Sequence, residues 1–146
     1  MTEATVTLVE GMQFAATTGS RHSLVIDAQE AVGGHATGPR PLELVAAGLA
    51  GCTAMDVISI LRKMQQKVTG LRVHVTGEQA TEFPKKFVSL HVQYMVTGYA
   101  LSAERVAHAI ELSETKYCPA MASLRPGVPI TSSFTLLEAN PETLIK

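Results

Sequence analysis

No charge of either sign dominates this chain: 12 Lys and Arg stand against 13 Asp and Glu, a formal net charge of −1. That balance lacks the basic footprint of a protein that binds nucleic acid or an anionic membrane surface, so neither partner is expected. The opening residues MTEATVTLVEGMQF contain no basic run leading into an apolar one. No secretory signal is therefore expected, and the cytoplasm is the expected compartment. The five histidines, at 22, 35, 74, 91 and 108, never fall into a ligand spacing such as H-x-x-x-H, and no cysteine pairs locally with one. A metal centre is not expected from such a pattern. A phosphate-binding P-loop and a glycine-rich dinucleotide fingerprint are both missing, so no cofactor is expected either. Repeats, linkers and low-complexity tracts are missing too. The chain has only two cysteines, and in a reducing compartment these are free thiols or a redox couple rather than a structural staple.

What the sequence does have is one long apolar stretch, PLELVAAGLAGCTAMDVISILRKM, from Pro41 to Met64. Pro41 suits a first helical position, where its missing N–H would be unpaired in any case. From Leu42 to Leu61 the residues are apolar nearly all round, as in a helix buried in a core or an interface. At about 1.5 Å per residue the helix would run roughly 35 Å. Gly48, Gly51, Thr53 and Asp56 interrupt it, which argues against a membrane span. Gly48 and Gly51 each cost up to ~1 kcal/mol against Ala, and small residues at that spacing predict a close helix–helix contact. A chain of 146 residues suits a single domain spanning 1–146. So long an apolar helix is hard to cover in so small a domain, and a homodimer with a large obligate interface is expected to cover it.

The flanking segments predict an α+β arrangement. Residues 3–9 alternate, 12–17 continue or pair with them, and 21–28 place Leu24 and Ile26 inward, giving an antiparallel meander. Residues 29–40 (QEAVGGHATGPR) form a loop punctuated by Gly33-Gly34 and Gly38-Pro39. After the helix, Gly70 marks a stop and Leu71, Val73 and Val75 alternate with polar residues. Val88, Leu90, Val92, Tyr94 and Val96 form the inward face of the clearest strand. Ser102 is the expected N-cap of a helix to about Lys116, with Val106, Ala109, Ile110, Ser113 and Tyr117 on one face. Residues 130–137 read as a last strand, and the tail from Asn140 as frayed.

Cys52 falls in the middle of the long helix and Cys118 lies 66 residues later, so spacing alone does not bring them together. Either can be a buried thiol acting as a small hydrophobe. In Cys118-Pro119-Ala120-Met121-Ala122 the cysteine can occupy an N-cap, where unpaired N–H groups would lower its pKa. One turn beyond Cys52 stands Asp56. A bare carboxylate would raise the thiol pKa unless a cation joins them, and Arg21 and Arg40 are the candidates, each equally readable as a solvated charge. His74 and His91 read as exposed strand residues, and nothing local supports a Cys–His hydrolase.

Together, GPRPLELVAAGLAGCTAMDVISILRKM, VTGLRVHVTGE, AIELSETKYCPAMASLR and ITSSFTL resemble the osmotically inducible protein C and organic hydroperoxide resistance family (OsmC/Ohr), and most of all its YhfA-like branch. The resemblance covers most of residues 22–138. It implies an OsmC-like α+β fold, an antiparallel sheet wrapped around a long buried central helix in an intertwined homodimer. It also implies a cofactor-free thiol peroxidase, with Cys52 attacking the hydroperoxide and becoming a sulfenic acid and Cys118 resolving it to a disulfide. Organic hydroperoxides and, less well, hydrogen peroxide would be the substrates, and a small dithiol or lipoyl-bearing protein the reductant. In the best-characterised branch an Arg–Glu pair holds the reactive thiolate, the Glu following the Pro that opens the helix. Here Leu42 stands in that place and Glu43 comes one residue later, nine residues before Cys52 and so about half a turn round the helix. Arg21 is nearest in position to the family arginine, and Asp56 can fill the carboxylate role instead. The departure at Leu42 keeps open a dimeric stress or ligand-binding protein without efficient catalysis, and a thiol redox sensor.

Overall fold

The computed structural model describes residues 1–140 and divides the chain into two compact units, Met1–Val45 and Ala46–Lys146. In the first unit β1 (Ala4–Glu10), β2 (Gln13–Thr18) and β3 (Ser23–Ile26) form the expected antiparallel meander, with Leu8 opposite Phe14 and Phe14 opposite Ile26. Leu24 and Ile26 are half-buried, whereas all seven residues of β1 are exposed. The loop that follows is organised by Asp27, which is only 2% exposed. Its carboxylate accepts from the Thr37 hydroxyl at 2.6 Å, from the Ala28 N–H at 2.7 Å, and from the His35 and Thr37 N–H groups at 3.2 Å each. These bonds, the Thr37 hydroxyl foremost, hold the Asp27 carboxyl down at about 2 against the opposing effect of burial. The loop glycines follow from crowding: a Cβ on Gly34 would collide with the Ala28 carbonyl, and one on Gly38 with the Val25 carbonyl. One 3₁₀ turn, Glu30–Val32, interrupts this loop.

Helix α1 (Pro41–Lys63) opens at Pro41 as expected. Glu43, three residues inside, accepts from the Arg40 N–H at 2.9 Å, the returning half of a capping box. Its C-terminus falls within one residue of the expected Met64, but the stop is a different one. The helix closes at Lys63, with Gln65 at a φ of 57° and the Gln66 N–H donating to the Leu61 carbonyl at 2.9 Å. Gly70 is not the stop; it lies inside β4 (Lys67–Gln79), beside a register shift against β5.

In the second unit β4, β5 (Phe87–Tyr99) and β6 (Ile130–Glu138) form one sheet in that order. The expectation of a wholly antiparallel sheet is corrected here: β4 and β5 run antiparallel, but β5 and β6 run parallel. Between them the chain crosses over through α2 (Ala103–Leu112), a π-helical turn (Ser113–Tyr117) and α3 (Pro119–Leu124), the kind of connection a parallel pair requires. Ser102 caps α2 as expected, accepting from the Arg105 N–H at 3.3 Å. The helical run extends through Lys116 as expected, but its last turn, Ser113–Tyr117, is π-helical rather than α-helical. Pro119 biases its predecessor away from helical geometry, and the Cys118 N–H reaches back five residues to the Ser113 carbonyl at 2.9 Å. Tyr117 consequently leaves the buried face and is 51% exposed.

The core of this unit takes Leu90, Val92, Tyr94 and Val96 from alternate positions of β5, Leu49, Val57 and Leu61 from α1, Val106, Ala109 and Ile110 from α2, and Met121 from α3. Val88, expected to share that face, is at the strand's outer end and 42% exposed. Within the chain α1 buries only the four-residue stripe Leu49, Thr53, Val57 and Leu61. The expectation of a helix buried all round is therefore not met by this chain alone, because its own residues cover one side. Met55 is 73% exposed, and among the described residues no atom beyond the adjoining residues and the helix's own backbone stands within 4 Å of a Cβ built on Gly48 or Gly51. By length and composition α1 does reach the range of a membrane span, contrary to the reading that its polar interruptions exclude one. The core helix of a water-soluble protein passes the same test. The expectation of a frayed tail falls, beyond Asn140, outside the described residues.

Candidate active site

Cys52 and Cys118 meet in the second unit. Cys52 is half-buried and packs against the core cluster, whereas Cys118 belongs to that cluster and is 3% exposed. The two thiols come close enough for Cys52 to act on the ionisation of Cys118, so the fold closes the gap in sequence between them. α1 delivers Cys52 from the turn between buried Leu49 and Thr53, and the π turn delivers Cys118. There Cys118 caps α3 as its sequence implies: Pro119 follows, and the sulfur accepts from the Met121 N–H at 3.4 Å.

The consequence for its acidity is the reverse of the one expected. Burial, the largest effect, pushes the Cys118 thiol up to about 11, and the neighbouring Cys52 thiol pushes the same way. The Met121 and Ala120 N–H groups oppose this and do not prevail. A six-residue helix offers few aligned dipoles, and a sulfur with almost no access to water loses more by desolvation than those N–H groups return.

Asp56, expected beside Cys52, is half-buried and accepts from Ser113 Oγ at 3.0 Å. It also borders a cavity of about 370 Å³ walled by Ile60, Met64, Leu112 and Tyr117. Glu43 and the backbone of Arg40 form the helix cap described above, in the first unit. Arg21 also lies in that unit, at a φ of 66° in the turn between β2 and β3, its N–H donating to the Thr18 carbonyl at 2.9 Å. Among the described residues no three His, Cys, Asp or Glu side chains cluster as metal ligands would.

Sequence reasoning passed over a group beneath the thiols. Thr53 Oγ1 lies 2.7 Å from Tyr94 Oη and 2.8 Å from Ser113 Oγ, and Tyr94 Oη lies 3.3 Å from Glu114 Oε1. Burial also drives the Tyr94 hydroxyl well above the usual tyrosine range. The available signal was one hydroxyl on each of three otherwise apolar faces.

Comparison with known proteins gives the chain a family and a shared fold. The family described as OsmC-like protein matches residues 34–133. Protein YhfA of Escherichia coli K12 is 37% identical over 137 residues, covering 94% of this chain and 99% of its own. Among solved structures, an OsmC-like protein from Mycoplasma pneumoniae superposes with a TM-score of 0.81 at 19% identity, over 94% of this chain and 97% of its own. An organic hydroperoxide resistance protein OsmC from Legionella pneumophila gives 0.69 at 18% identity, over 92% and 96%. At such identities the two structures establish the fold alone; the match along the sequence establishes the kinship. This chain belongs to the OsmC-like protein family.

Proposed function

We propose that this protein is a cytoplasmic, cofactor-free thiol peroxidase that reduces organic hydroperoxides, and hydrogen peroxide less well, through Cys52 and Cys118. The observation that carries the reading is the neighbouring pair of thiols with unequal access to solvent. Cys52, the more exposed thiol, takes the attacking role in this reading, and Cys118, held as a thiol by burial, takes the resolving one. The Cys52 thiolate attacks one peroxide oxygen; the O–O bond breaks, the alkoxide leaves as an alcohol after taking a proton, and Cys52 becomes a sulfenic acid. Cys118 sulfur then bonds to Cys52 sulfur while the S–O bond breaks, and the departing hydroxide takes the Cys118 proton as water. A dithiol or lipoyl-type reductant restores both thiols by exchange. The cavity beside Asp56, one helical turn from Cys52, has an apolar wall of Ile60, Met64 and Leu112 that suits a hydrophobic substrate tail, with Ser59 and Lys63 as polar groups on its rim.

The kinship supports this reading, and a relative whose name includes organic hydroperoxide resistance shares the fold. Arg21 and Arg40 keep the part that the resemblance gives to an arginine, and single alanine variants separate them: the one that serves Cys52 loses at least about tenfold in kcat/KM. The uncovered side of α1 supports a homodimer. A second reading, a dimer that kept the cysteines without efficient turnover, rests on Leu42 and on Glu43 being engaged in the helix cap. One equivalent of cumene hydroperoxide followed by peptide mapping under non-reducing conditions tests the chemistry. A Cys52–Cys118 disulfide within one chain is expected, and two unmodified thiols would overturn it.

A further inference from the structure

Thr53, Tyr94 and Ser113 are each fully buried, and the proposed chemistry uses none of them directly. Buried hydroxyls are unfavourable unless bonded, and an apolar core of the same shape would do without them. Their places are particular. Thr53 follows Cys52 on α1, the Ser113 carbonyl accepts from the Cys118 N–H, and Tyr94 stands mid-strand in β5.

The bonds also have a direction. Asp56 as a carboxylate can only accept, so Ser113 donates to it over 3.0 Å. With its single proton engaged, Ser113 accepts from Thr53 over 2.8 Å, and Thr53 in turn accepts from Tyr94 over 2.7 Å. The 3.3 Å approach of Tyr94 to Glu114 competes for the same tyrosine proton and is the longer of the two. One ordered chain of hydroxyls thus ties the helix carrying Cys52 to the turn carrying Cys118.

We propose that Thr53, Ser113 and Tyr94 are positioning residues for the thiol pair. The hydroxyl chain fixes the rotation of α1 against the π turn and so sets how the two sulfurs approach each other. Disulfide geometry tolerates little misplacement, and an error of about 1 Å at reacting atoms can cost a hundredfold in rate. The inference rests on the reading of Cys52 and Cys118 as a redox pair.

The test is the equilibrium of that pair with dithiothreitol, in which the two protein thiols are oxidised to the disulfide as oxidised dithiothreitol is reduced. It needs no hydroperoxide. Thr53→Val keeps the shape and removes the bonds. Its midpoint is expected about 30 mV less negative, a tenfold smaller equilibrium constant for a two-electron couple, and its Cys52 sulfenic acid about tenfold longer-lived. Thr53→Ser, which restores the hydroxyl, is expected within about threefold of wild type, and Tyr94→Phe at least about threefold away. A folded Thr53→Val with the wild-type midpoint overturns the proposal, as does a Thr53→Ser shifted equally far. Tyr94→Phe carries the test alone if Thr53→Val fails to fold, and a wild-type midpoint there overturns it. A wild-type chain that forms the disulfide yet reduces no hydroperoxide overturns the peroxidase reading and leaves the positioning role standing. A wild-type chain that forms no such disulfide overturns both.

Discussion

Cys118 occupies a helix start, where N–H groups favour a thiolate, and is almost cut off from water, which disfavours one. Because burial prevails, the folded chain holds the Cys118 proton from its ordinary value near 9 up to about 11, whereas the unfolded chain releases it across that range. The folded state then binds more protons, so stability is full below about pH 9 and falls as pH rises towards 11. Urea midpoints at pH 8 and 10.5 are expected to drop in wild type by more than in Cys118→Ser. Asp27 works in the opposite sense. Its carboxyl is depressed from 3.8 to about 2, so its contribution is present above pH 3.8 and lost as pH falls through 2. Asp27→Asn is expected to melt below wild type at pH 7, with the gap closing between pH 4 and 2. At this scale the sequence displayed which residues carry sulfur and where an N-cap falls. It did not display the depth of Cys118 or the meeting of the thiols, because both depend on strands and helices far along the chain.

The elements were more legible. The alternation in β5 and the cap at Ser102 are local patterns, and the structure keeps both. Strand direction is not local. β6 reads as a strand from its residues, but its parallel pairing follows from the crossover through α2 and α3. The end of that helical run was legible, but its change to a π turn was not, for a related reason: a π turn offers no period of its own and here is set by Pro119 and the buried Ser113. For α1, the apolar composition was plain, but which stripe the chain itself would cover was not. Leu61→Ala, in that stripe, is expected to destabilise the fold by roughly 2–5 kcal/mol in urea unfolding. On the uncovered side, Met55→Asp is expected to leave the fold intact and to weaken a homodimer at least about a hundredfold in sedimentation equilibrium, the scale of an unpaired charge placed in an apolar contact. A wild-type monomer, or an undisturbed Met55→Asp dimer, would remove that face from the interface.

For the whole molecule, kinship reaches over the region from 34 to 133, which includes the cysteine helix and the turn to Cys118. Fold class and the two thiols could be read from the sequence because the motifs around them are contiguous. The hydroxyl chain beneath them could not, since Thr53, Tyr94 and Ser113 come from three separate elements. The central claim is that this pair turns over hydroperoxide, and it is tested most directly by the rate of cumene hydroperoxide consumption with dithiothreitol. Wild type is expected to turn over, Cys52→Ser to fall to the rate of dithiothreitol alone, and Cys118→Ser to react once and accumulate sulfenic acid. A wild-type rate no greater than that of free thiol, or an undiminished rate in Cys52→Ser, would contradict the account.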